Sequence, residues 1–174
     1  MSFFLWQISS KHNDAWHIAS ALHFDILIVQ GGQAMKYIVL VSHGEFASGL
    51  KTSLEMLAGK RDDVLAIGLP DGKTADEFAL MFEEGIKGIK GEDEIILLAD
   101  IVGGSPLTTA LNVLSNKGLI SNTTTIGGMN LPLALTSVLM KDTLAKDTFV
   151  ETVLSESKNA LQEFKIVEDD EDDI

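Results

Sequence analysis

Four short segments carry the side chains and backbone groups from which a reaction could be built. They are Ser42-His43-Gly44, Asp100, the run Gly103-Gly104-Ser105-Pro106, and Gly127-Gly128-Met129-Asn130-Leu131-Pro132. His43 follows the apolar run Tyr37 to Val41, and Asp100 follows the apolar run Ile95 to Ala99. Each titratable group therefore stands at the carboxyl end of a strand, where open α/β sheets bind their ligands. If the two strands are neighbours, the carboxylate can accept a proton from one ring nitrogen of the imidazole. That interaction fixes the tautomer and leaves Nε2 as a nucleophile. The glycines after Asp100 free backbone amides, and Ser105-Pro106 reads as the start of a helix with Ser105 as N-cap and Pro106 at its first position. Such a terminus suits the oxygens of an anionic group carried on the imidazole. Gly44 lets backbone approach the same place, and Asn130 is expected either to wall the site or to cap its own helix.

Each residue also has a plainer role available. His43 could be a core histidine bonded to a carbonyl, Asp100 a turn residue, and Ser105 a cap and nothing more. Capping does not exclude anion binding. The segment Gly68-Leu69-Pro70-Asp71-Gly72-Lys73-Thr74 resembles a nucleotide-binding P-loop, but is one residue short and has Pro70 where an amide is needed. It reads as an ordinary turn around Asp71-Gly72.

The elements that would position these groups alternate from Met35 onward. Phe46, Leu50, Leu54 and Leu57 form a helical stripe that Gly59 ends, and Val64 to Leu69 is a second strand. A helix from Thr74 to about Lys90 carries Phe78, Phe82 and Ile86 on one face, and the third strand is Glu94 to Asp100. A helix marked by Leu107, Ala110, Leu111 and Leu114 leads to a strand over Thr123 to Ile126 and a helix over Leu131 to Met140. Asp142 to about Phe164 reads as a last helix, with room for an extra edge strand at Lys165 to Val167. Repeated βα units predict a doubly wound α/β fold, mainly parallel, of strand order 2-1-3-4, with helices on both faces. Met56, Met81 and Met140 are expected to fill the core.

With 174 residues the chain suits one domain and its appendages, and without cysteine it has no disulfide, thiol nucleophile or thiolate metal site. That composition fits a reducing cytoplasm. The net charge of −13 is partly a tail, since Glu168 to Asp173 are all acidic and are expected to be solvated and disordered. Arg61 is the sole arginine, which argues against nucleic-acid binding. No apolar run reaches the length of a membrane span, and the apolar start lacks the basic head of an export signal. Residues 1 to 34 stand outside the βα rhythm. They hold His12, His17 and His23 at spacings that imply no metal site. Gly31-Gly32 must be encoded by adjacent GGN codons shortly before Met35, where a ribosome-binding sequence could lie, so Met35 is expected to be the natural start and 1 to 34 a leader.

On the motifs Ser42 to Leu50, Asp100 to Pro106 and Gly127 to Pro132, the stretch from Met35 to about Val167 resembles the IIA component of the mannose family of the bacterial phosphoenolpyruvate:sugar phosphotransferase system (PTS). The resemblance implies that His43 accepts a phosphoryl group from the phosphocarrier protein HPr and passes it to a IIB component serving a membrane IIC/IID complex. It further implies that Asp100 pairs with the histidine, that Gly103 to Ser105 cradle the phosphate, and that the protein is a cytoplasmic homodimer needing no cofactor. The chain departs from the pattern at Met129, where valine is more usual, and at Ser42, where threonine is frequent. With an acidic end in place of a linker to IIB, it reads as a stand-alone IIA. Two alternatives stay open: the phosphotransfer subunit of a dihydroxyacetone kinase, whose members usually lack the Gly-Gly-Ser-Pro segment, and a purely regulatory module in which His43 only reports sugar supply.

Overall fold

The computed structural model describes residues 34 to 165. The leader and the acidic tail lie outside the described residues, as do Ile166 and Val167 of the expected edge strand; residues 161 to 165 carry no strand. The elements run β1 (Lys36–His43), α1 (Phe46–Ala58), β2 (Val64–Leu69), α2 (Ala75–Gly85), β3 (Glu94–Ala99), α3 (Ser105–Asn116), β4 (Thr123–Gly127), α4 (Leu131–Met140) and α5 (Lys146–Asn159). A single 3₁₀ turn, Ile120–Asn122, precedes β4. The four strands form one parallel sheet of order β2-β1-β3-β4, as the alternation of elements predicts.

Burial explains why the central strands β1 and β3 read as unbroken apolar runs. Ile38 to Val41 are wholly buried and alternate between two cores. Ile38, Leu40, Ile96 and Leu98 face α1, α4 and α5 through Ala47, Leu50, Leu54, Leu133, Val138, Phe149 and Val153. Val39, Val41, Leu97 and Ala99 face α2 and α3 through Phe78, Phe82, Leu107, Ala110 and Leu114. The two faces thus carry three helices and two.

Several expectations need correction. Met56 is 84 % exposed, and Met81 and Met140 are also exposed, so none fills the core. Met56 lies about 200° around the helix from the buried Leu54, so it points to solvent. Phe46 and Leu57 are exposed too; Ala47, Leu50 and Leu54 are the buried stripe of α1. Helix α2 begins after the Thr74 capping box, whose partner is Glu77, and stops at Gly85 instead of about Lys90. Helix α5 is shorter at both ends than Asp142 to Phe164, because residues 141 to 144 are used in a turn whose Thr143 and Leu144 amides donate to the Met140 carbonyl. Leu161 and Phe164, past its end, are exposed.

Candidate functional site

Register brings the two titratable residues together. Val41 of β1 pairs with Ala99 of β3, and the Asp100 amide donates to the Val41 carbonyl, so Asp100 leaves the sheet directly beside Ser42 and His43. Asp100 Oδ2 accepts from the His43 amide at 2.8 Å and lies 2.9 Å from His43 Nδ1. Its other oxygen accepts from the Ile101 amide at 2.8 Å. A carboxylate offers only acceptors, so the ring must donate from Nδ1, leaving Nε2 with its lone pair. Burial pushes the Asp100 carboxyl up, but the donors from His43 and Ile101 outweigh it and hold the pKa below the ordinary value. The carboxylate is therefore ionised at neutral pH. It is largely covered, whereas the imidazole is 47 % exposed.

The turn after His43 is fixed by two features that sequence reading missed. Ser42 is fully buried, and its Oγ accepts from the Ala47 amide at 2.8 Å, so a strand residue caps α1 in place of Glu45. Gly44 takes a left-handed φ of +52° and donates to the Leu69 carbonyl, closing the turn against β2. A Cβ on Gly68 would stand 2.0 Å from the Gly44 carbonyl oxygen, so β2 must carry glycine there. The signal was a lone glycine inside an apolar strand, which marks close backbone approach.

The second wall is the loop from Ile101 to Gly104. Gly103 has φ of +74°, and the Gly104 amide donates to the Ile101 carbonyl. A Cβ on Gly104 would lie 3.1 Å from His43 Cε1, so the loop backbone lies against the ring next to its free nitrogen. Gly104, with an ordinary φ of −65°, is needed for space and not for backbone freedom. A Cβ on Gly127 would strike Val102 at 2.4 Å, which is how the end of β4 lets this loop settle.

Ser105 is not the N-cap that the sequence suggests. Gly104 occupies that position without a side-chain cap, and Ser105 and Pro106 are the first two helical residues. The Gly104 carbonyl takes the Thr108 amide, so the amides of Ser105 and Leu107 have no acceptor among the described residues. Exposed Ser105 keeps its hydroxyl free of any hydrogen bond there. Asn130 caps α4, its Oδ1 accepting from the Leu133 amide at 2.9 Å and from Ser157 Oγ at 3.2 Å. No hydrogen bond links it to His43, so capping is its observed role.

In front of the ring, His43, Gly44, Leu69, Pro70, Asp71, Gly72 and Lys73 line a cleft of about 250 Å³. The segment that imitates a P-loop is indeed a turn, with Gly72 at φ +74° and Lys73 donating to the Pro70 carbonyl, but it is also a wall of the site. Among the described residues no helix is long and apolar enough to cross a membrane, and no three His, Cys, Asp or Glu side chains converge as a metal site. The arrangement can hold a nucleophilic ring nitrogen next to an anion-binding helix terminus.

The family model for the PTS system fructose IIA component matches residues 37–154. The PTS system fructose-specific EIIA component of Bacillus subtilis is 24 % identical over 125 residues, covering 72 % of this chain and 84 % of the relative. The PTS system mannose-specific EIIAB component of Escherichia coli is 26 % identical over 105 residues; the match covers 60 % of this chain and only 32 % of that longer protein. Among solved structures, the PTS IIA protein associated with the fucose utilization operon of Streptococcus pneumoniae superposes with a TM-score of 0.64 at 28 % identity, over 75 % of this chain and 93 % of that one. The mannose/sorbose specific IIA subunit of Enterococcus faecalis has the same fold, with a TM-score of 0.62 at 18 % identity, over 77 % and 98 %. This chain belongs to the family of IIA components of the sugar phosphotransferase system.

Proposed function

We propose that this protein is a phosphohistidine carrier in which His43 Nε2 accepts a phosphoryl group from HPr and hands it to a IIB component. The IIB component would in turn supply sugar phosphorylation at a membrane IIC/IID complex. The observation that carries the reading is the contact of 2.9 Å between Asp100 Oδ2 and His43 Nδ1 on a half-exposed ring. It leaves one nitrogen nucleophilic and open to a protein partner. As the Nε2–phosphorus bond forms and the donor's bond to phosphorus breaks, the ring gains positive charge, which the ionised Asp100 stabilises. Gly103, Gly104 and Ser105 bring the free amides at the start of α3 to the same side, where they suit phosphoryl oxygens. Gly44 keeps the cleft open, and Asn130 contributes by holding α4.

The working domain is proposed to span residues 35 to 167, between a leader and an acidic tail. It would act in the cytoplasm as a homodimer, without a cofactor. His43→Ala tests the central role. With phosphoenolpyruvate, enzyme I and HPr supplied, the variant should take up no label while keeping its fold. Label that persists, or moves to His12, His17 or His23, rejects the assignment. Failure of labelled protein to pass phosphate to any IIB partner would favour the regulatory module.

A further inference from the structure

Gly104 at the start of α3 lies against the His43 ring, and Lys73 lines the cleft in front of that ring. Of the residues lining the cleft in front of His43, Lys73 alone is positively charged and Asp71 alone negatively charged. A phosphohistidine brings nearly two negative charges into that space. The lysine is at present held by Glu77, with Nζ 2.6 Å from Oε1. Glu77 keeps partners without it, because Glu77 Oε2 also accepts from the Thr74 amide at 3.0 Å and from Thr74 Oγ1 at 3.1 Å. Lys73 and Glu77 are both roughly half exposed, so their pair is worth little and breaks at little cost.

We infer that Lys73 is a releasable second anchor for the phosphoryl group, paired with Glu77 when His43 is free and swinging to a phosphoryl oxygen when His43 is modified. This rests on the assignment of His43 as the phosphorylated residue. No proton or electron changes hands in the swing: Lys73 stays an ammonium, and Nδ1–H stays with Asp100. Glu77 keeps its two bonds from Thr74, so the capping box that starts α2 survives in both states. The device lies on the turn Pro70-Asp71-Gly72-Lys73, which lines the cleft and has its glycine at φ +74°.

The test compares the phosphoryl-transfer equilibrium between phospho-HPr and the full-length protein for wild type, Lys73→Met, Lys73→Arg and Glu77→Gln. Lys73→Met should shift it about threefold toward HPr, Lys73→Arg should restore it, and Glu77→Gln, by freeing the lysine, should shift it about twofold the other way. The ³¹P resonance of the phosphohistidine gives an independent reading. Its protonation midpoint should rise in Lys73→Met, since the dianion loses a neighbouring cation. A purely structural lysine would leave that midpoint in place. An unchanged equilibrium and midpoint in Lys73→Met, with thermal unfolding as in wild type, overturns the inference while leaving the carrier role of His43 intact. If wild-type protein takes no label at His43, both fall together.

Discussion

The two ends of the sheet both place an aspartate opposite a basic side chain, and they use it in opposite ways. At the amino end Asp63, which precedes β2, accepts from Arg61 Nε at 2.9 Å and Nη2 at 2.8 Å, and lies 2.9 Å from Lys141 Nζ. Lys141 is 3 % exposed and also pairs with Asp142, so every charge in the cluster is matched. The Arg61 fork above all, aided by Lys141 and opposed by burial, holds the Asp63 carboxyl at about 2. At the carboxyl end Asp100 satisfies one side of an exposed ring and leaves the other nitrogen open. A saturated cluster fastens the fold, and an unsaturated pair is left able to react.

The sharpest way to break this contrast is to neutralise each aspartate in turn. Asp63→Asn should lower stability by about 3 kcal/mol, because it weakens a buried ion pair on one side only, yet His43 labelling of the folded fraction should be unaffected. Denaturant unfolding and a labelling assay read the two effects separately. Asp100→Asn should do the reverse, cutting the phosphoryl-transfer rate by up to about 100-fold with little change in unfolding. Transfer rates equal to wild type would make Asp100 a turn residue only.

Gly104→Val sharpens the account of the loop. Its added carbon would sit 3.1 Å from His43 Cε1, so the ring or the α3 terminus must move, and phosphorylation should drop about 30-fold, or ~2 kcal/mol. That exceeds the loss expected at Lys73, because the amides at the helix terminus are proposed as the main anchor and the lysine as an accessory one. A normal Gly104→Val protein beside a dead lysine variant would invert this order.

Acid gives a further reading of Asp63. Asp63 falls from an ordinary 3.8 to about 2 on folding, so its contribution of about 2 kcal/mol is complete above about pH 5 and is lost as pH falls through 3.8 toward 2. The lowered Asp100 acts in the same direction. In Asp63→Asn the acid limb of a stability–pH curve should flatten. The smallest effect concerns encounter. An acidic protein meeting basic surface on HPr should transfer about threefold more slowly from low to physiological salt, whereas deletion of Glu168 to Ile174 should matter little.

Strand order, register neighbours and the meeting of His43 with Asp100 were legible because parallel buried strands read as apolar runs and functional groups stand at their ends. Details of the walls were not. Gly68 was read only as part of a P-loop-like segment and Gly127 only as part of a motif after β4, but each makes room for a loop from another part of the chain; a glycine inside a strand signals a close approach without saying which loop approaches. Ser105 looked like a cap because its residue type and the following proline fit one, yet the cap falls one residue earlier, on Gly104, and Ser105 is the first helical residue. The methionines were assigned to the core by type, and their angular position on each helix decided otherwise. The turn Asp71-Gly72 was read correctly as a turn, but its place beside His43 follows only from the pairing of β2 with β1.

The central claim is that Asp100 holds Nδ1 and leaves Nε2 to carry phosphate. Phosphorus–nitrogen coupling in protein with ¹⁵N-labelled histidine, phosphorylated through phosphoenolpyruvate, enzyme I and HPr, measures this directly. The account predicts a single phosphohistidine at His43 bonded through Nε2. Phosphate on Nδ1, or on any other histidine, would contradict it.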